Sequence, residues 1–270
     1  MAPTDRTRVF HQLHQSGCFV IPNPWDRGSA RLLAQLGFPA LATTSSGFAW
    51  TMARPDNGVT LEQALAHYRA LADAVDIPVS ADFEHGFADA PEGVAANVTA
   101  AARTGIAGLS IEDSTGDTAR PLYLFELSVE RIRAARAAID ASGTGLLLTG
   151  RSEGFIVGRP DLAETISRLT AYAEAGADCL FAPGIKSVAD ISAVVRAVAP
   201  KPVNVLVGGD WTTVSQLAEL GVRRISTGGA LARAAWAGFL TAAKEIATQG
   251  TFGSLAKAVP LSGDMNGAFS

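Results

Sequence analysis

Short apolar runs alternate with longer amphipathic stretches from one end of the chain to the other. Short runs rich in Val, Ile, Leu and Ala predict strands buried on both faces, as in a parallel sheet. They fall at 18–21, 40–44, 79–82, 107–112, 146–150, 179–182, 203–207 and 224–227. Segments with helical spacing lie between them, among them 61–75, 91–104, 128–141, 161–175, 187–198 and 212–220. Thr60 and Ser128 supply N-cap signals, and Gly37, Gly105, Gly176 and Gly221 stand where a left-handed C-terminal cap belongs. Eight strand–helix units in series predict an α/β fold: a single (β/α)8 TIM-type barrel over 1–270, with 249–270 as a C-terminal tail.

Composition narrows the function class. Hydrophobic residues make up 48% of the 270 and charged residues 18%, enough to fill one large core. The formal net charge of −4 and the lack of a Lys/Arg-rich block argue against a nucleic-acid partner. No apolar run reaches the ~18 residues of a membrane span, so no membrane association is expected. The first twenty residues have no apolar segment of signal-peptide type, which predicts a cytoplasmic protein. Cys18 and Cys179 sit in apolar contexts and predict two free thiols rather than a disulfide or zinc site.

In such a barrel, function collects where the strands end. Three strand ends carry acids: Asp82 and Glu84 after the third strand, Glu112 and Asp113 after the fourth, and Glu153 shortly after Arg151 on the fifth. Several carboxylates converging with one arginine call for a hard divalent cation, Mg²⁺ or Mn²⁺, held by oxygen ligands. Arg151 offers a planar fork suited to a substrate carboxylate. The Ser45-Ser46-Gly47 stretch reads as a loop whose backbone amides and hydroxyls can hold an anion, with Gly47 allowing close approach. His85 is a candidate proton donor. Phe48, Trp50, Phe87, Phe155 and Trp211 are candidate pocket walls.

These motifs, S-S-G at 45–47, S-A-D-F-E-H-G-F at 80–87, S-I-E-D-S at 110–114, G-R-S-E-G-F-I-V-G-R at 150–159 and A-G-A-D-C-L-F-A-P-G at 175–184, resemble the isocitrate lyase/phosphoenolpyruvate mutase superfamily over about 20–250. The resemblance implies that Asp82 is a direct metal ligand and that Glu84 and Glu112 are ligands directly or through water. It implies that Arg151, Ser45, Ser46, Gly47 and Asp82 hold the oxo acid, and that Asp56 is an active-site aspartate. It also implies a homo-oligomer, dimer or tetramer, in which the last barrel helix, about 230–248, is exchanged between subunits. The chain departs from the family lyases at 114–127, where their mobile loop carries a Lys-Lys/Arg-Cys-Gly-His motif; no Cys or Lys stands there. Pro183-Gly184 replace the glutamate those lyases have after the sixth strand.

The expected activity is a magnesium-dependent lyase that cleaves a C–C bond, or decarboxylates, beside the carbonyl of a small 2-oxo or 2-hydroxy acid. Two alternatives stand next to it: phosphonopyruvate-type P–C chemistry, with Arg120 as the one loop cation, and a non-catalytic 2-oxo acid binding protein. A Schiff-base aldolase would need Lys186, the only lysine just beyond a strand end.

Overall fold

The computed structural model describes residues 4–269. Its eight strands are β1 (Phe19–Ile21), β2 (Leu41–Ala42), β3 (Val79–Asp82), β4 (Gly108–Glu112), β5 (Leu147–Arg151), β6 (Cys179–Phe181), β7 (Val203–Leu206) and β8 (Arg224–Ser226). They form one parallel sheet in the order β1-β8-β7-β6-β5-β4-β3-β2. Between β1 and β2 the gap is bridged by Ala42 N–H on the Pro22 carbonyl, 3.1 Å, and by Asn23 Nδ2 on the Thr43 carbonyl, 2.8 Å. The result is the (β/α)8 barrel that the alternation of apolar runs predicts.

The helices are α1 (Asp5–Leu13), α2 (Arg27–Gln35), α3 (Ser45–Thr51), α4 (Leu61–Ala72), α5 (Pro91–Ala101), α6 (Phe125–Ser142), α7 (Leu162–Glu174), α8 (Val188–Val198), α9 (Val214–Glu219), α10 (Ala230–Gln249), α11 (Gly253–Ser262) and α12 (Met265–Phe269). Thr60 caps α4 as expected, with a reciprocal bond from Gln63. Ser128 does not cap α6. That helix begins three residues earlier, and the buried Ser128 hydroxyl donates back to the Leu124 carbonyl at 3.0 Å. The main core lies between the sheet and its helices, with Val94, Val98, Ile132, Ile139, Leu169 and Tyr172 buried against Leu109, Ile111 and Leu148.

Two segments went further than their sequence suggested. α1 carries Phe10 under the barrel, where it packs with Phe19, Ile21, Leu147 and Cys179 and closes the end opposite the strand termini. Within the tail 249–270 the described residues form α11 and α12, and Gln35 Nε2 donates to the Ala268 carbonyl at 2.6 Å, tying α12 to α2. No helix of the described residues is long and apolar enough to cross a membrane.

Candidate active site

Alternation along the strands sets the site. Cross-strand register places Asp82 opposite Ser110, Ser110 opposite Thr149, and Glu112 opposite Arg151. A cavity of about 240 Å³ opens at the C-terminal ends of the strands, where Ser45, Ser46, Asp56, Asp82 and Arg151 line it; it continues inward to Asn204, Arg224 and Ser226.

Arg151 organises the upper part. Its Nε donates to Glu153 Oε1 at 2.5 Å, and its Nη1 lies 3.2 Å from both Asp82 Oδ1 and Glu112 Oε2. Asp82 is fixed from three sides: its N–H donates to Thr43 Oγ1, its carbonyl accepts from Tyr68 Oη at 2.7 Å, and its Oδ2 accepts from the Ser45 N–H at 3.0 Å. Glu84 is buried on a turn with φ 49°, a left-handed conformation that costs energy for a side chain of this kind.

Crowding of acids governs the electrostatics. Burial first, then Asp82 and Asp56, push the Glu84 carboxyl up to about 8, against the pull of Arg151. Burial holds Glu112 well above the usual carboxylate range, with Arg151 opposing. Burial also raises Glu153 against Arg151. For Arg151 itself burial works against the charged form, but Glu153, Glu112 and Asp82 outweigh it and keep the guanidinium charged. One arginine does not neutralise this set, so additional positive charge is favoured there.

Asp82, Glu84 and Glu112 are the side chains that could supply it a seat, and their oxygen-only chemistry suits a hard divalent cation. Among the described residues no three Asp, Glu, His or Cys side chains already surround a common point. Arg151 Nη1 stands between Asp82 and Glu112, 3.2 Å from each.

Asp56 lines the cavity from the exposed loop after α3, and its carboxyl is raised by burial and then by Asp82, while a hydrogen bond from the Ser45 side chain lowers it. Ser45, Ser46 and Gly47 are not a loop. They form the first turn of α3, capped by Thr44, whose Oγ1 accepts from the Gly47 N–H at 3.3 Å. Gly47 lies behind the lining, and a Cβ there would come within 2.6 Å of Thr44 Cγ2, 3.1 Å of Trp25 Cβ and 3.2 Å of Ala232 Cβ. Close packing of α3, rather than approach of a ligand, requires this glycine.

His85 stands apart from the lining. Its ring is 6.0 Å from Phe87, and the charged groups that act on it are Arg131 and Asp89; burial is the main cause holding it below the usual histidine value. Asp113 belongs to a buried structural network. Its carboxylate accepts from Glu153 N–H at 2.7 Å, Tyr172 Oη at 2.7 Å and Arg168 Nη1 at 3.2 Å. Lys186 is exposed and outside the cavity, which removes the residue a Schiff base would need. The five aromatic residues expected as walls are absent from the lining; Ile156, Phe181 and Leu206 take that place. Phe48 instead stacks on His67, ring centroids 3.8 Å apart, and Trp50 lies under the Arg233 guanidinium at 4.7 Å.

Sequence reasoning missed Asn23, whose Oδ1 accepts from the Thr227 and Gly228 amides at 2.9 and 2.8 Å. It also missed Ser80, Ser110, Asn204, Arg224 and Ser226, which line the cavity. Their signal was polar residues inside runs otherwise read as continuously apolar.

The family model for phosphoenolpyruvate phosphomutase matches residues 10–247. An oxaloacetate decarboxylase of Pseudomonas aeruginosa (strain LESB58) is 31% identical over 225 residues, which cover 80% of this chain and 76% of that protein. A Burkholderia cenocepacia J2315 crystal structure, provisionally described as a lyase/mutase, is 49% identical with TM-score 0.93, covering 98% of this chain and 95% of that one. An oxaloacetate acetylhydrolase solved with its product oxalate is 25% identical with TM-score 0.83, covering 93% of this chain and 90% of that one.

Proposed function

Because the chain belongs to the phosphoenolpyruvate phosphomutase family, within the isocitrate lyase/phosphoenolpyruvate mutase superfamily, we propose that it is a magnesium-dependent lyase cleaving the C–C bond beside the carbonyl of a small 2-oxo or 2-hydroxy acid. The observation that carries this reading is the Arg151 guanidinium, held at the cavity by Glu153, Asp82 and Glu112. Its Nη2 has no protein partner among the described residues, which leaves a fork edge for a carboxylate.

Asp82, Glu84 and Glu112 are the proposed metal-holding residues. A divalent cation there would supply Lewis-acid charge next to the carboxylate and 2-oxo oxygens of the acid. Arg151 binds the substrate carboxylate and stabilises negative charge that grows beside it as the bond breaks. Ser45 and Ser46 present hydroxyls from the first turn of α3, and Asp56 closes the mouth. Decarboxylation suits this set best, because it needs no proton donor until the fragment is released, and the stretch 114–127 carries no thiol. Support for acid substrates of this size comes from the relatives, one a decarboxylase and one a hydrolase of oxaloacetate by name. For P–C chemistry the loop offers only Arg120, which is exposed and lies 3.5 Å from Asp117.

The oligomer is part of the same reading. α10 leaves Trp236, Phe239, Leu240 and Ile246 exposed, a face that a second copy of the chain would cover.

The test is turnover of oxaloacetate, 2-hydroxy diacids and phosphonopyruvate with Mg²⁺, with products identified by NMR and a chelator as control. Chelator-sensitive release of CO2 or of a C–C cleavage fragment is expected. Turnover of phosphonopyruvate alone would replace the proposal with P–C chemistry, and no turnover of any acid would leave a binding protein.

A further inference from the structure

The cavity does not end at Asp82 and Arg151. It continues toward the other end of the barrel, where Arg224 of β8 lines it while remaining 95% inaccessible to solvent (relative exposure 5%). Such a guanidinium normally has a carboxylate beside it, since a buried charge without a counter-charge loses its hydration and gains nothing in return.

Arg224 has none among the described residues. Its Nε donates to Asn204 Oδ1 at 2.9 Å and its Nη2 to Thr149 Oγ1 at 3.0 Å. Its Nη1 lies 3.2 Å from His14 Nε2, while His14 Nδ1 lies 2.7 Å from the Phe10 carbonyl. A ring bonded this way holds its proton on Nδ1 and accepts at Nε2, so it is neutral. Burial first and Arg224 second push His14 down to about 3, which keeps it so. The one other titratable neighbour, Cys179, is a thiol that burial keeps protonated. Burial lowers the Arg224 value, yet an arginine stays charged at neutral pH.

The same cavity carries further donors. Ser80 and Ser110 line the same cavity and their hydroxyls have no hydrogen-bond partner among the described residues. Ser226 Oγ accepts from Asn204 Nδ2 at 2.9 Å, which leaves its own hydrogen free to donate.

We propose that the inner end of the cavity is an anion site, in which Arg224 and the Ser80, Ser110 and Ser226 hydroxyls hold a small monovalent anion, a halide or a carboxylate group of about formate size. The site needs no metal and is independent of the reaction assigned to the outer end. An anion there supplies the missing counter-charge and stabilises the barrel from within.

Thermal melting of the wild-type protein at constant ionic strength tests this, with bulky gluconate replaced stepwise by bromide or by formate. A saturable rise is expected, about 5 °C at a hundredfold excess over the dissociation constant. It should be absent from Arg224→Gln. If that variant does not fold, a bromide-soaked wild-type crystal gives the same answer, with an anomalous peak in contact with the Arg224 guanidinium. A response to bromide alone assigns a halide site, and a response to both anions assigns a site open to carboxylates. Melting that stays the same when gluconate is replaced by either anion, or bromide found only elsewhere with water against Arg224, overturns the proposal.

Discussion

Replacing Arg151 by lysine separates two jobs that one guanidinium performs. In the native arrangement Nε serves Glu153 at 2.5 Å, Nη1 serves Asp82 and Glu112 at 3.2 Å each, and Nη2 faces no protein acceptor. A lysine ammonium is a single point. Seated between Asp82 and Glu112 it cannot also reach Glu153, and it presents no planar edge to a substrate. Losing one charge-assisted hydrogen bond to substrate is worth ~1.5–3 kcal/mol, so kcat/KM for the best 2-oxo acid should fall on the order of tenfold to hundredfold. Glu153, 3% exposed, would be left unpaired, which should lower unfolding stability by about 2 kcal/mol in urea titrations. A second change, Glu153→Gln, removes that stranded charge. Arg151→Lys with Glu153→Gln should therefore recover most of the stability and none of the activity. If Arg151→Lys keeps wild-type kcat/KM, or if the double variant regains activity together with stability, the assignment of the free guanidinium edge to substrate fails.

Asp113→Ala strips one of two carboxylates from Arg168, which keeps Glu164 at 2.9 Å, and leaves the buried Tyr172 hydroxyl and Glu153 N–H without their acceptor; it should cost ~2–3 kcal/mol in urea unfolding, and a loss below 1 kcal/mol would mean the network carries little. Gly47→Ala forces a Cβ to within 2.6 Å of Thr44 Cγ2 and should destabilise by ~1–3 kcal/mol in thermal melts, while a fully stable variant would show that α3 can shift. His67 is held at about 4 chiefly by burial, so the unfolded chain binds a proton that the folded one refuses as pH falls below the ordinary histidine value of 6.5. Its contribution is therefore complete above pH 6.5 and declines toward pH 4. His67→Phe, which keeps the stack on Phe48, should lose about 2 kcal/mol less than wild type between pH 7.5 and 5. Equal losses in the two proteins would exclude it. Sedimentation should find a dimer or tetramer that Phe239→Lys with Leu240→Glu dissociates; a monomeric wild type would contradict the oligomer.

The barrel was legible because buried parallel strands are short and nearly all apolar, a pattern hard to mimic. All eight strands lie where the runs predict, within two residues at each end. β2 stops early because Thr44 turns aside to cap α3, a choice that depends on tertiary packing of Gly47 against Trp25 and Ala232. α1 was missed because its 9 residues sit where a terminal segment has no periodic neighbour, and its helicity is justified by Phe10 under the barrel. At the site, residues at strand ends were readable from position alone, as with Asp82 and Arg151. Orientation was not. Asp113 follows Glu112 directly yet faces the α7 side chains Arg168 and Tyr172, and His85 follows Glu84 yet turns toward Arg131. The polar interior of Ser80, Ser110, Thr149 and Arg224 was hidden inside runs read for hydrophobicity, although its spacing of two along the strands carried the information.

A crystal grown with Mg²⁺ and oxalate, a planar mimic of the enolate of a 2-oxo acid, tests the central claim most directly. The account predicts a metal on Asp82, Glu84 and Glu112, directly or through water, with oxalate between it and the Arg151 guanidinium and within reach of Ser45 and Ser46. Oxalate bound away from Arg151, or a cavity that takes neither ion while the protein still turns over a 2-oxo acid, would contradict it.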